Sequence, residues 1–492
     1  MREILYKGSE PSLEYDVVIG LEVHVELSTK TKMYCGCKNI FGGRVNSNCC
    51  EICLGMPGTL PTVNKKAVEY AIKAGLAFGC TINKKTSFAR KNYFYPDLPK
   101  SYQISQANFP LCVGGFVEIL LDEGQKTKKI SLRQIHMEED AGKLIHDENL
   151  GLTLVDYNRA GVPLIEIVSM PELSSAQEVK AYLETIRNTL MCLGVSDCRM
   201  QEGSMRCDVN VSLKPKGSEI LGTRCEIKNV GSFNGAVKAV ECEINRQKDI
   251  LNAGGQIKQI TMRWDESKND NVIMREKESA VDYRYFEEPD LPILEIDGKE
   301  IERIKKTIPE LPNAKLARLM QDYGIVYADA NLLVSNLDKC EMFESVAKLE
   351  KCTPNKVANW LLGDVSRILN EKNIELKDSK LNVQNFSQML ELIEEGKISN
   401  TAGKTVLEEI MENDITPLEV VEKNGLVQIN DEEALKAIAA EVLSANPQIS
   451  ELYDKGKTNI LGFAVGQCMK LSKGQGNPVI FQKIVSDLIK RG

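Results

Sequence analysis

The chain has little histidine, three in 492 residues, and little tryptophan, two. So few imidazoles exclude a histidine-rich metal store, and they make the surroundings of His24, His136 and His146 informative. No apolar run approaches the ~18 residues of a membrane-spanning helix, so no span is expected. Positive charge is not in excess: the net charge is −8, which argues against coating nucleic acid by bulk charge while leaving room for local basic patches. The opening Met1-Arg-Glu-Ile-Leu lacks an apolar signal core and the acid-poor look of a transit peptide. Fifteen cysteines without a secretion signal are expected to be reduced thiols in the cytoplasm.

Common catalytic signatures are missing too. There is no Gly-x-Ser-x-Gly and no serine–lysine constellation of the amidase type. Ala402-Gly403-Lys404-Thr405 imitates the end of a phosphate-binding loop, but Ile398 stands where its first glycine belongs, in a helical context. Gly474-x-Gly476 follows a helix rather than a strand and is no dinucleotide fingerprint.

Of what is present, organisation comes first. The length allows two to four domains with their own cores. Up to about residue 295 the pattern is mainly antiparallel strand with inserted helices; beyond it the period becomes helical. Three domains are expected, 1–295, 296–410 and 411–492. The fold class is thus multidomain α+β: a β-sheet cradle with a zinc knuckle, then an all-α part. Helices are expected from the Ser174/Ser175 cap to Gly194 and from Ser232 to Gly254. The turn-rich Asn158-Arg159-Ala160-Gly161, between Leu152–Asp156 and Val162–Val168, predicts a hairpin.

The strongest local signal is Val17–Leu27, a strict two-residue alternation. Ile19, Leu21, Val23, Val25 and Leu27 face one side; Glu22, His24 and Glu26 face the other. Cys35-x-Cys37 and Cys50-x-x-Cys53 follow, two chelating pairs at the spacing of a tetrahedral zinc knuckle. Cys49 competes with Cys50, but Cys50-x-x-Cys53 has the chelate spacing. Four thiolates leave no open position, so this zinc is structural. Carboxylates in strand-like segments form a second constellation: Glu138 and Glu139 beside His136, then Glu166, Asp208 and Glu226. With Glu22 and His24 they would line a sheet suited to Mg²⁺ and phosphoryl transfer. By charge alone, Arg90, Lys91 and Arg159 are candidates for phosphate contact, the first two in an aromatic-rich loop.

These residues resemble one family. Glu22-Val-His24-Val-Glu26-Leu, the four-cysteine knuckle and Leu54-Gly55-Met56-Pro57-Gly58 resemble the opening of the B subunit of the tRNA-dependent amidotransferase. So do Arg90-Lys91-Asn92-Tyr93-Phe94-Tyr95-Pro96-Asp97, Glu138-Glu139-Asp140-Ala141-Gly142-Lys143, Asp156-Tyr157-Asn158-Arg159-Ala160-Gly161 and Asp282-Tyr283-Arg284-Tyr285-Phe286. The tail adds Gly466-Gln467-Cys468-Met469-Lys470. The resemblance implies a heterotrimer, with an amidase-class glutaminase as its A component and a small C component strapping the two together. It implies ATP-dependent phosphorylation of the Glu or Asp side chain on a misacylated tRNA, then amidation by ammonia from the partner. Glu22, His24, Glu138 and Glu139 become catalytic and, with Glu166, Asp208 and Glu226, Mg²⁺ and ATP ligands; Lys470 and Lys473 would grip the tRNA. Two other readings stay open on the residues: a zinc-stabilised RNA-binding scaffold without chemistry, and a free-standing ligase or kinase on a small metabolite.

Overall fold

The computed structural model describes residues 14–147, 149–276, 282–429, 431–454, 459–472 and 475–491. It divides into two compact units, residues 1–314 and 315–492. No helix among the described residues is long and apolar enough to cross a membrane.

The first unit is organised by the alternating strand β1 (Tyr15–Glu26). Six more strands of its sheet are β2 (Lys126–Glu139), β3 (Pro163–Ser169), β4 (Met205–Pro215), β5 (Cys225–Val230), β6 (Ile260–Asp265) and β7 (Asp270–Glu276). Across the sheet the order is β7-β6-β5-β4-β1-β3-β2, continuing through Cys112–Val113 to Thr81–Ile82, with Phe116–Leu121 also paired to β2. Neighbours run antiparallel except β5 and β6, which are parallel.

Alternation explains why β1 sits inside. Ile19, Leu21, Val23 and Val25 are at most 1% exposed. They share one core with Ile135 and Met137 of β2, Ile165 and Ile167 of β3, and Val209 and Val211 of β4. Helices that complete this core include α1 (Ala176–Cys192) and α2 (Phe233–Asn252), and the helix Lys65–Ala77 adds Ala67, Ala71, Ile72 and Ala74. Ser175 and Ser232 cap α1 and α2, each accepting a backbone N–H three residues on. Val179, Tyr182, Leu183, Ile186 and Leu190 of α1, and Ala236, Ala239 and Val240 of α2, join the buried cluster. The opposite face of the sheet is thereby left to polar side chains.

The hairpin expected across Asn158–Gly161 does not form. Leu152–Asp156 pairs with Lys143–Asp147 in a separate two-stranded sheet. Both edges of β3 are taken, by β1 and β2, so no edge remains for the preceding strand. Pro163 is the first residue of β3, where its missing N–H costs least.

In the second unit every regular element among the described residues is helical, apart from an isolated bridge between Ile429 and Gly476. Ala402–Thr405 lies inside the helix Asn400–Glu412, so it forms no phosphate loop. Helices Glu432–Ala445, Gln448–Asp454, Ile460–Leu471 and Pro478–Arg491 share a core that includes Leu435, Val442, Ile449, Cys468, Phe481 and Val485.

A buried polar clamp docks α2 on β4. Gln247, fully buried, accepts from the Leu213 N–H at 3.0 Å and donates to the Val211 carbonyl at 3.2 Å. It also donates to buried Glu243, which Arg246 pairs at 2.8 Å. Gln247→Leu strands these groups, and we expect it to cost the first unit about 1–3 kcal/mol. Urea unfolding in a Trp360→Phe background, which leaves Trp264 as the only tryptophan, measures this.

Candidate metal and nucleotide centre

Register brings the carboxylates together on the polar face. Glu22 lies opposite Asp208, and His24 lies opposite both Glu166 and Arg206. One strand further out, Glu166 faces His136 and Asn210 faces Glu226. Two sets of candidate ligands result, each with its ligand atoms within 4.8 Å of one another: His24, Glu138 and Glu166, and Glu22, Asp208 and Glu226. Oxygen-rich sets of this kind match a hard divalent cation.

Both sets border one cleft of about 690 Å³, whose lining includes Glu22, His24, Glu138, Glu166 and Asp208. That lining carries six carboxylates (Glu22, Asp97, Glu138, Asp140, Glu166, Asp208) against three lysines or arginines (Lys91, Arg206, Lys228). Carboxylate therefore exceeds fixed cation, a second reason to expect positive ligands there. Burial, then repulsion from Glu166 and Asp208, pushes Glu22 above its ordinary range. His24 supplies a third: its Nδ1 is buried without a hydrogen-bond partner, 4.0 Å from Glu166 Oε2. An orphaned imidazole nitrogen beside carboxylates is the donor a cation would use.

The protein's own cations offset part of this charge. Lys228 Nζ reaches Asp208 and Glu226, both at 2.7 Å, and it titrates above its ordinary value because their attraction outweighs burial. His136 Nε2 lies 2.9 Å from Glu138 and 3.2 Å from Glu166. Burial alone would lower His136, but Glu166 and Glu138 outweigh it and raise it to about 10. Burial likewise opposes charge on Glu138, yet His136 and Lys91 hold it well below the usual carboxylate range. Gln103 donates to Glu138 at 2.6 Å, and Asn210 to Glu22 at 3.2 Å.

The remaining candidates fall in different places. Glu139 is outside both sets: it accepts from the Ile104 N–H at 2.9 Å, pairs with Lys100, and borders a separate cavity of about 190 Å³. Of the three proposed phosphate contacts, only Lys91 lines the acidic cleft. Arg90 is held by Glu288 at 2.7 Å and Asp290 at 3.1 Å, against the Tyr102 ring. Arg159 bridges Glu26 at 2.8 Å and Asp140 at 2.6 Å. Asp140 also takes two 3.0 Å bonds from Arg206, and these cations hold it below its ordinary value against burial. Lys470 is on the helix Ile460–Leu471, and Lys473 lies outside the described residues.

The four sulfurs of Cys35, Cys37, Cys50 and Cys53 lie within 4.8 Å of one another. Cys49 is not in this group; its thiol lies 3.9 Å from Asn158 Oδ1. The hydrogen bond from Cys35, the Cys50 backbone N–H and nearby Lys32 outweigh burial and bring Cys53 down to about 5. No disulfide joins the fifteen cysteines, all of them among the described residues. Sequence reading passed over His136, Lys228, Arg206 and Gln103 as site residues. Alternation in β4 and β5 carries the signal for Arg206 and Lys228; nothing local marks Gln103, which meets Glu138 across 35 residues of sequence.

Comparison with known proteins adds the family. Residues 17–302 match the GatB/GatE catalytic domain and residues 341–489 match the GatB domain. The chain is 50% identical over 475 residues, 96% of its length and 99% of the relative's, to the B subunit of the aspartyl/glutamyl-tRNA(Asn/Gln) amidotransferase of Clostridium botulinum (strain Hall). A protein of the same description from Clostridium tetani (strain Massachusetts / E88) is 48% identical over 479 residues, covering 97% and 100% of the two chains.

His136 yields a pH test. Its folded value, about 10, lies above the ordinary 6.5, so its charged form favours folding. That contribution is complete below pH 6.5 and is lost as pH rises through about 10. In metal-free protein, thermal midpoints across that window should fall more steeply for the wild type than for His136→Gln.

Proposed function

The chain belongs to the GatB family, and on that premise we propose that it activates and amidates the side-chain carboxylate of Glu on Glu-tRNA(Gln), of Asp on Asp-tRNA(Asn), or of both. The observation that carries this reading is the pair of ligand sets on one sheet face, sharing one cleft. A carboxylate is a poor electrophile because its anion resists attack. Transfer of the γ-phosphoryl group of ATP to a carboxylate oxygen gives an acyl phosphate and ADP; ammonia adds to the acyl carbon and phosphate leaves, giving the amide. Such transfers depend mainly on positioning and charge neutralisation.

Glu22, Asp208 and Glu226 would hold one Mg²⁺, and His24, Glu138 and Glu166 a second. Bound there, the cations would supply the neutralisation that the phosphates of ATP require. Lys228, paired with Asp208 and Glu226, and Lys91, which lines the same cleft, would follow the moving negative charge. Gln103 and Asn210 fix the carboxylates they bond. Arg90 and Arg159, held by their ion pairs, would brace the elements around the cleft rather than contact phosphate. Glu139, paired with Lys100 and bonded by the Ile104 N–H, would support the wall beside the ligand sets rather than hold the cation.

Cys35, Cys37, Cys50 and Cys53 would hold a structural Zn²⁺, for which a four-thiolate set is the natural chemistry. No nucleophilic serine constellation is present in the sequence, in keeping with ammonia coming from a glutaminase partner, the A component of a heterotrimer completed by the small C component. The tail, with Lys470 and Lys473, would contact tRNA phosphates, which position a substrate without entering the chemistry. The tail, which we propose begins near residue 411, has a core of its own among residues 435–489. Cysteines joined by no disulfide suit a cytoplasmic enzyme.

The test uses the chain purified with its partners. Glu22→Gln and Asp208→Asn, near-isosteric and uncharged, should each lower amide formation on misacylated tRNA by at least about 10²-fold. Glutamine hydrolysis by the partner should persist, and free ammonia should not rescue the product. Amide formation at wild-type rate in both variants contradicts the assignment and favours a tRNA-holding scaffold.

A further inference from the structure

Lys32 is a lysine with no exposed surface. Lysine is among the residues least often buried without a partner of opposite charge. Among the described residues its ammonium meets no carboxylate. It donates to the Asn48 carbonyl at 2.8 Å and the Tyr157 carbonyl at 3.4 Å, and it points at Cys53 Sγ, 3.8 Å away. Two neutral carbonyls satisfy its hydrogens but not its charge. The group beside it able to balance that charge is the Cys53 sulfur, as a thiolate.

The balance works in both directions. Four thiolates around Zn²⁺ carry a formal charge of −2, from four negative sulfurs and one divalent cation. In a shielded site such a cluster needs its own counter-charge, which comes from groups that hydrogen-bond the sulfurs. We infer that Lys32 is the counter-charge of the four-cysteine cluster and the strut that ties it to the turn carrying Arg159.

The tie is visible in the surrounding bonds. The Lys32 N–H donates to the Cys37 carbonyl at 2.9 Å, and the Met33 N–H donates to the Gly161 carbonyl at 2.7 Å. Between the two cysteine pairs, the Asn48 N–H donates to Asn158 Oδ1 at 2.8 Å and Asn46 Oδ1 accepts from the Tyr157 N–H at 2.7 Å. Gly161, whose φ of +85° favours glycine, packs against Cys53 and Lys32: an added Cβ would make ordinary van der Waals contact at 3.5 Å from Cys53 Cβ and 3.6 Å from Lys32 Cδ. The 157–161 turn is thus moulded on the knuckle, with Lys32 at the junction. From that turn Arg159 extends to Glu26 and Asp140. Lys32 acts through Arg159 and is a positioning residue rather than a catalytic one.

The inference rests on the reading of these cysteines as a zinc site, and the experiment separates the two. The intact complex is purified with wild-type chain, Lys32→Met or Lys32→Arg. Zinc content is measured, and then zinc release to a chelating dye. A wild-type complex without zinc refutes the zinc reading itself. With zinc present, Lys32→Met should release it about 10–100 times faster than wild type, and Lys32→Arg, which keeps the charge, should fall between. In cobalt-substituted complexes, the sulfur-to-cobalt charge-transfer bands of Lys32→Met should move, because one sulfur loses a hydrogen bond from a cation. Equal release rates with unmoved bands overturn the inference. If Lys32→Met does not accumulate, Lys32→Gln, which keeps an N–H donor but removes the charge, takes its place: moved bands support the inference and unmoved bands overturn it.

Discussion

Like charges must be held close together on the polar face of one sheet, and most of the first unit serves that constraint. Six carboxylates line a cleft with three lysines or arginines. Left in water, those side chains would spread apart. They stay because the backbones beneath them are fixed by paired strands whose other face is the core of the unit. Ile19, Leu21, Val23 and Val25 therefore do two things. They supply apolar burial, and by alternation they fix the direction in which Glu22 and His24 point. A one-residue slip of β1 would place the acids in the core, so register is enforced by both faces at once.

Partial compensation is the second consequence. Lys228 between Asp208 and Glu226, and His136 between Glu138 and Glu166, lower the electrostatic cost of gathering these carboxylates without cancelling it. What remains is an orphaned His24 nitrogen and a Glu22 held above its ordinary range. Both are stabilised when positive charge arrives. On the proposed reading, the free energy withheld in folding is returned when Mg²⁺ and ATP bind, a common trade between stability and function.

How much of this was legible before the fold depends on range. The alternation of Val17–Leu27 is local, so it showed which residues of β1 share a face. The cysteine spacing is local as well, and the four sulfurs do converge. The helix caps at Ser175 and Ser232 obey rules written within four residues. Long-range pairing was hidden. Nothing near Asn158 says that β3 has both edges occupied, so a hairpin was expected where a moulded turn stands. Charge alone could not show that Arg90 and Arg159 are engaged by Glu288 and Asp140. Glu139 adjoins Glu138 in sequence, yet strand alternation sends it to the Lys100 side instead.

Activation of a carboxylate by this chain is the central claim, and trapping tests it most directly. The complex is given Glu-tRNA(Gln), ATP and Mg²⁺, with neither glutamine nor ammonia, and hydroxylamine as nucleophile. The account predicts tRNA-dependent ATP cleavage with a hydroxamate on the aminoacyl side chain. Cleavage without hydroxamate, or neither in a complex that still binds the tRNA, would contradict it.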